Sequence, residues 1–180
     1  MTQYAYPDSD VSDGSWVNES DSGENLYASI DNTQPLDSGN DSDFVYSSDQ
    51  SYSADSMIVG LSNVTDPSSA AGHVVRYRAK GDPGGGFAIP NLTVALLETS
   101  TQRATVTITP TVGYADYSFT LTTAEANAIG NYNNLRLKFT RAAADGMWEQ
   151  GYVSQAYFEC PDASAPSATA TPAAFLLFVD

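Results

Sequence analysis

The clearest signal in the chain is alternation. From His73 to Lys80, Val75, Tyr77 and Ala79 point one way and Arg76, Arg78 and Lys80 the other, which is the period of a half-buried β-strand. Leu135 to Arg141 repeats the pattern, with Leu135, Leu137 and Phe139 against Arg136, Lys138 and Thr140. These two strands carry six of the seven basic residues, and no Lys or Arg occurs in the first 75 positions. The pattern predicts that both strands lie in one sheet, with Arg76, Arg78, Lys80, Arg136 and Lys138 on its outer face. Like charges on neighbouring strands repel unless paired, so acidic residues are expected to cover that face, from this chain or from a partner.

Other runs alternate less strongly. Met57 to Leu61, Asn91 to Thr99, Arg103 to Thr109 and Tyr114 to Leu121 each read as a strand, and Tyr152, Ser154, Ala156, Phe158 and Cys160 are expected to share one face of a last strand. Asp82-Pro83-Gly84-Gly85-Gly86 breaks the chain after the first basic strand. Between Thr122 and Tyr132 the pattern changes to one short helical turn, with Thr123 as the expected N-cap and Gly130 as the stop, crossing from one sheet to the other. Residues 1–56 are rich in Asp, Ser, Gly and Asn. Islands at Trp16-Val17, Asn25 to Ile30 and Phe44 to Tyr46, each flanked by turn formers, predict short strands there. Nine or ten short antiparallel strands at such spacing make an all-β sandwich, jelly-roll-like, with extended N- and C-terminal arms. Residues 1–160 form one domain, and 161–180 form a Pro/Ala/Thr linker ending in an apolar arm. That arm, Phe175, Leu176, Leu177, Phe178 and Val179, has the β-propensity to add as a strand to a sheet edge of this chain or a neighbour.

Charge narrows the partners. A net charge of −15 and a pI near 4.1 leave no basic footprint for DNA, RNA or anionic lipid. No apolar run is long enough to span a bilayer, and Met1-Thr2-Gln3-Tyr4 has no leader character, so synthesis in a reducing cytoplasm is expected. The single cysteine, Cys160, is in phase with Ala156 and Phe158 and reads as a small buried hydrophobe.

Chemistry-bearing groups are few. The single histidine, His73, is in phase with Val75 and Tyr77 and reads as a structural polar contact; a zinc site or a nucleophile-base pair would depend on it alone. Glu98, Glu149 and Glu159 each lie beside a polar strand end, so no glycosidase-like carboxylate pair is indicated and the chain reads as a non-enzyme without a cofactor. Asp8, Asp10 and Asp13 before Gly14 depart from the EF-hand spacing, yet the acidic clusters at 8–13 and 37–43 keep Ca²⁺ open as a ligand. Tyr4, Tyr6, Trp16, Tyr46, Tyr52 and Trp148 could stack on sugar rings, Trp16 and Trp148 being the expected glycan contacts, or could pack over the sandwich edges.

The order of motifs also carries a resemblance. Tyr6-Pro7-Asp8-Ser9-Asp10-Val11-Ser12, Trp16, Leu26 to Asp31, Asp41 to Ser47, Asp66-Pro67 to Arg78, and Leu135 to Phe139 resemble a family of small tailed-phage and prophage virion proteins. The likeness spans about residues 4 to 160; this chain departs from it at Gln155, where Trp is expected, and in the tail from about Asp162. The resemblance implies a jelly-roll virion component without catalytic activity: a capsid decoration (cement) or head-exterior protein, made in the host cytoplasm, contacting the major capsid protein or copies of itself as an oligomer. The alternative is a carbohydrate- or receptor-binding module of a phage fibre.

Overall fold

Inward-facing aliphatic and aromatic residues on alternate positions drive two sheets together, and the computed structural model describes this sandwich over residues 1–47, 53–84, 88–143 and 149–163. In chain order the strands are β1 (Thr2–Ala5), β2 (Pro7–Ser12), β3 (Trp16–Asn18), β4 (Val45–Ser47), β5 (Asp55–Leu61), β6 (Val74–Pro83), β7 (Leu92–Glu98), β8 (Thr101–Ile108), β9 (Ala115–Thr120), β10 (Leu135–Arg141) and β11 (Glu149–Pro161). One sheet runs β3-β4-β11-β6-β9, with β1 also paired to β11; the other runs β2-β5-β10-β7-β8. All pairings are antiparallel. The eight strands β4 to β11 occupy the orders 4-11-6-9 and 5-10-7-8, which is the jelly-roll arrangement. The N-terminal arm is extended backbone that pairs at both sheets, β1 with β11 and β2 with β5.

This topology corrects one expectation. The two basic strands, β6 and β10, belong to opposite sheets, so Arg76, Arg78 and Lys80 face away from one side of the sandwich and Arg136 and Lys138 from the other. Alternation reports which face of a strand is buried, not which layer the strand joins. Between the layers, Val75, Tyr77, Ala79, Val153, Ala156 and Phe158 meet Met57, Val59, Leu92, Val94, Leu96, Leu137 and Phe139, all buried. Tyr77 spans the gap, stacked on Tyr117 with ring centroids 5.6 Å apart and edge-on to Phe139 at 6.2 Å.

Three local expectations also change. Residues 25 to 30 form no strand: Leu26–Ser29 is a 3₁₀ turn, because the Asp10 carboxylate accepts from the Leu26 and Tyr27 N–H groups and Asn25 takes a left-handed φ of 59°. The helical crossover is α1 (Thr123–Asn127), but its N-cap is Thr122, whose hydroxyl accepts from Glu125 N while the Glu125 side chain reaches back to Thr122 N. On β11 the register slips between Val153 and Gln155. A bulge there turns Tyr152 outward, while Val153, Ala156, Phe158 and Cys160 keep facing the core, so the five residues expected on one face are split.

His73 is buried, its Nε2 2.7 Å from the Tyr132 hydroxyl and its Nδ1 3.2 Å from the Ala71 carbonyl. Burial pushes the imidazole below its ordinary value of 6.5, with the Ala71 carbonyl and the Asp66 charge opposing. The unfolded chain therefore takes up its proton near pH 6.5 and the native chain only at lower pH, so stability that is full above pH 6.5 falls as the pH drops between the two values. Because the histidine is single, its ring resonances are unambiguous. An NMR titration is expected to give a midpoint below 6.5, and a midpoint at or above 6.5 contradicts the buried neutral ring. Cys160 is likewise buried, its thiol pushed up to about 11 mainly by desolvation, which leaves it an inert packing group.

Candidate functional site

The outer face of the six-stranded sheet carries its polar and aromatic side chains in rows set by strand register. Tyr157 on β11, Arg76 on β6 and Ser118 on β9 form one row; Gln155, Arg78 and Asp116 form the next; Tyr46 on β4, Tyr152 and Lys80 form a third. At the β1 side, Tyr4 pairs with Glu159.

A loop lies across the middle of this face, held by the bulge. There the consecutive residues Ser154 and Gln155 both reach outward: Ser154 Oγ donates to Asp41 at 3.2 Å, and Gln155, fully buried, bonds the loop five times. Its Oε1 accepts from Asp37 N and Asn40 Nδ2, and its Nε2 donates to the carbonyls of Asn32, Thr33 and Pro35. Asp41 closes the loop by accepting two bonds from Arg78, at 2.6 and 2.8 Å, and Tyr6 Oη accepts from Gln34 N at 3.4 Å. Loop residues Pro35 and Leu36 thereby become a wall.

Beside that wall is a cleft of about 440 Å³ lined by Tyr4, Gln34, Pro35, Leu36, Arg76, Asp116, Tyr117, Ser118, Tyr157 and Glu159. Its aromatic side is a cluster in which Tyr157 stands 5.9 Å from Tyr4 and 5.8 Å from Tyr6 between ring centroids. Its polar side is the Arg76–Glu159 pair, with Nε 2.6 Å and Nη2 3.4 Å from the two carboxylate oxygens. Arg78 binds Asp116 at 2.7 Å as well as Asp41, and these hydrogen bonds raise the pKa of both guanidiniums further above the usual range. The acid cover expected over the basic strand thus exists for Arg76 and Arg78, from within the chain.

Lys80 is covered differently. Its ammonium sits 4.4 Å from the Tyr152 ring centroid, 4.8 Å from Tyr114 and 6.0 Å from Phe44, and Tyr152 stacks on Tyr46 at 5.4 Å. The Tyr46 hydroxyl donates to Asp21, and its pKa is pushed up to about 12, chiefly by that bond. Arg136 and Lys138, on the opposite sheet, make no ion pair among the described residues.

Trp16 is not a glycan contact. It is 0% exposed, and the site where a Gly151 Cβ would stand is 3.9 Å from its ring, so the indole is part of the core. Trp148 and Tyr52, and the arm residues Phe175, Leu176, Leu177 and Phe178, lie outside the described residues. Alternation pointed to Arg76, Arg78 and Lys80, and Tyr4, Tyr6 and Tyr46 stood among the expected aromatics. Missed were Tyr157, Glu159, Asp116 and the wall at Pro35 and Leu36. The Arg78–Asp116 and Tyr157–Arg76 neighbours follow from register alone, which no local pattern states.

The acidic loops are engaged internally. Asp10 caps the 3₁₀ turn, Asp37 accepts from Gly39 N, and Asp41 holds Arg78. Desolvation, with the nearby charges of Glu19 and Asp31 as smaller causes, raises the Asp43 pKa. Among the described residues no group of three or more His, Cys, Asp or Glu side chains is arranged to hold a metal ion.

No family model matches the chain, and no curated protein matches it. Among solved structures, it is similar to a family 29 carbohydrate-binding module at 12% identity and a TM-score of 0.45, covering 90% of this chain and 91% of that one. A second family 29 structure, from work on ligand recognition, gives 11%, 0.46, 93% and 99%. The carbohydrate-binding module CBM36, in complex with calcium and xylotriose, gives 13%, 0.38, 79% and 96%. These likenesses extend to the sandwich architecture and no further.

Proposed function

We propose that this chain is a non-catalytic carbohydrate-binding module that takes a sugar chain in the cleft beside Pro35 and Leu36. The observation that carries this reading is the pairing, in one cleft, of the half-buried Tyr4 ring, backed by the buried Tyr157, with the Arg76–Glu159 pair. Sugar rings present an apolar C–H face and a rim of hydroxyls, and such a ligand needs aromatic surface beside fixed donors and acceptors. Hydrolysis would need two facing carboxyl groups free to act on the bond between them. Here Glu159 is engaged by Arg76 and Asp116 by Arg78, which supports binding without chemistry.

Isothermal titration against a panel of soluble polysaccharides tests the reading. Saturable binding is expected, weakened about fivefold or more by Tyr4→Ala, since stacking on a ring contributes of the order of 1 kcal/mol or more. Tyr4 is only half-buried, so the melting temperature should change little. A wild-type chain that binds no member of the panel overturns it.

A place in a tailed-phage virion, as decoration protein or fibre module, is a second reading, and the ordered motifs from Tyr6 to Phe139 are what favour it. It implies contacts with the major capsid protein or with further copies of the chain. Absence of the chain from purified particles by mass spectrometry would reject it.

A further inference from the structure

We infer that the cleft selects uncharged glycan chains and rejects uronic-acid and sulfated chains, because each of its guanidiniums is already bound by a carboxylate of the protein. This inference rests on the carbohydrate-binding reading and adds the class of ligand.

An acidic sugar is recognised where a cation is free to receive it, most strongly by a two-pronged guanidinium. The cleft holds one guanidinium at its surface, Arg76, and Glu159 already occupies that fork with contacts at both Nε and Nη2. Arg78 lies beneath, its side chain only 12% exposed, with Asp41 on Nε and Nη2 and Asp116 on Nη1. Lys80 is one row further along the sheet, its ammonium between the rings of Tyr152 and Tyr114. Three carboxylates therefore face two guanidiniums, and the local excess is negative, in a chain whose net charge is −15. An anionic sugar would have to displace a protein carboxylate from its bidentate partner and come to rest beside it. Like-charge juxtaposition of that kind opposes binding by several-fold or more. A neutral sugar meets no such barrier: the paired groups keep unused lone pairs and N–H bonds for hydroxyls, and the half-exposed Asp116 offers its second oxygen as an acceptor.

The test uses the full chain at physiological ionic strength, titrated with neutral chains (xylan, β-glucan, galactan, mannan) and with polygalacturonate and alginate. Expected is binding to at least one neutral chain, with affinity for both uronates at least tenfold weaker. A Glu159→Gln variant, confirmed as folded by circular dichroism, frees the Arg76 fork and is expected to gain uronate affinity at least tenfold, in a salt-sensitive manner. If the wild-type chain binds uronates as well as or better than neutral chains, the inference is overturned while the carbohydrate-binding reading stands. If the folded variant still rejects uronates, the ion pair is not the selector and the inference fails. Binding to none of the chains overturns both.

Discussion

Replacing Trp16 with alanine is expected to lower stability by about 3 to 5 kcal/mol, the range for removing a large aromatic from a packed core. Trp16 sits on a strand of only three residues, β3, at one end of the six-stranded sheet, and is fully buried in the common core with Leu26, Ile30 and Val45. Its indole is the largest apolar group tying the acidic N-terminal third to the rest of the sandwich. Urea denaturation checks this: the midpoint should drop sharply with an unchanged slope, and any loss of sugar binding should track the unfolded fraction. A variant with wild-type midpoint but lost binding would restore Trp16 as a ligand contact.

The second large effect is expected at Gln155. Leucine there has similar bulk but strands the Asp37 N–H and the carbonyls of Asn32, Thr33 and Pro35, whose partner among the described residues is this carboxamide. A buried polar group left unpaired costs about 1 to 3 kcal/mol, and the loop can rehydrate part of the set, so a total of about 2 to 4 kcal/mol is expected for Gln155→Leu. The wall of Pro35 and Leu36 should then leave the cleft, weakening sugar binding at least tenfold even where the variant remains folded. Binding at wild-type strength by folded Gln155→Leu protein would show that the wall does not shape the site.

The sandwich was legible because its central strands bury one face: 73–80 and 135–141 alternate in the sequence as they do in the fold, whereas in 91–99 the second face is buried too, at Ala95 and Leu97. What stayed hidden depends on contacts far apart in the chain. Nothing local distinguishes β6 from β10 as members of different layers. β2 could not be seen at all, because after Pro7 its residues are exposed and, but for Val11, polar, and it is a strand only through its backbone pairing with β5. The bulge of β11 also gives no periodic signal, since two phases of alternation meet at Ser154 and Gln155 inside an otherwise buried run. The candidate site was half legible for the same reason. Its basic row follows from alternation on one strand, whereas Glu159, Asp116 and Asp41 arrive from other strands and a loop.

The fastening of residues 32–41 has a consequence for how a ligand would arrive. The loop is bound to Gln155 near its centre, to Arg78 at Asp41 and to Tyr6 at Gln34 in the free protein. Its backbone freedom is lost during folding, so that entropy is not charged against the encounter with a sugar. Capture of a sugar would then need no slow closing step: the association rate is expected to rise in proportion to ligand concentration, and sugars of different affinity to differ mainly in how long they stay.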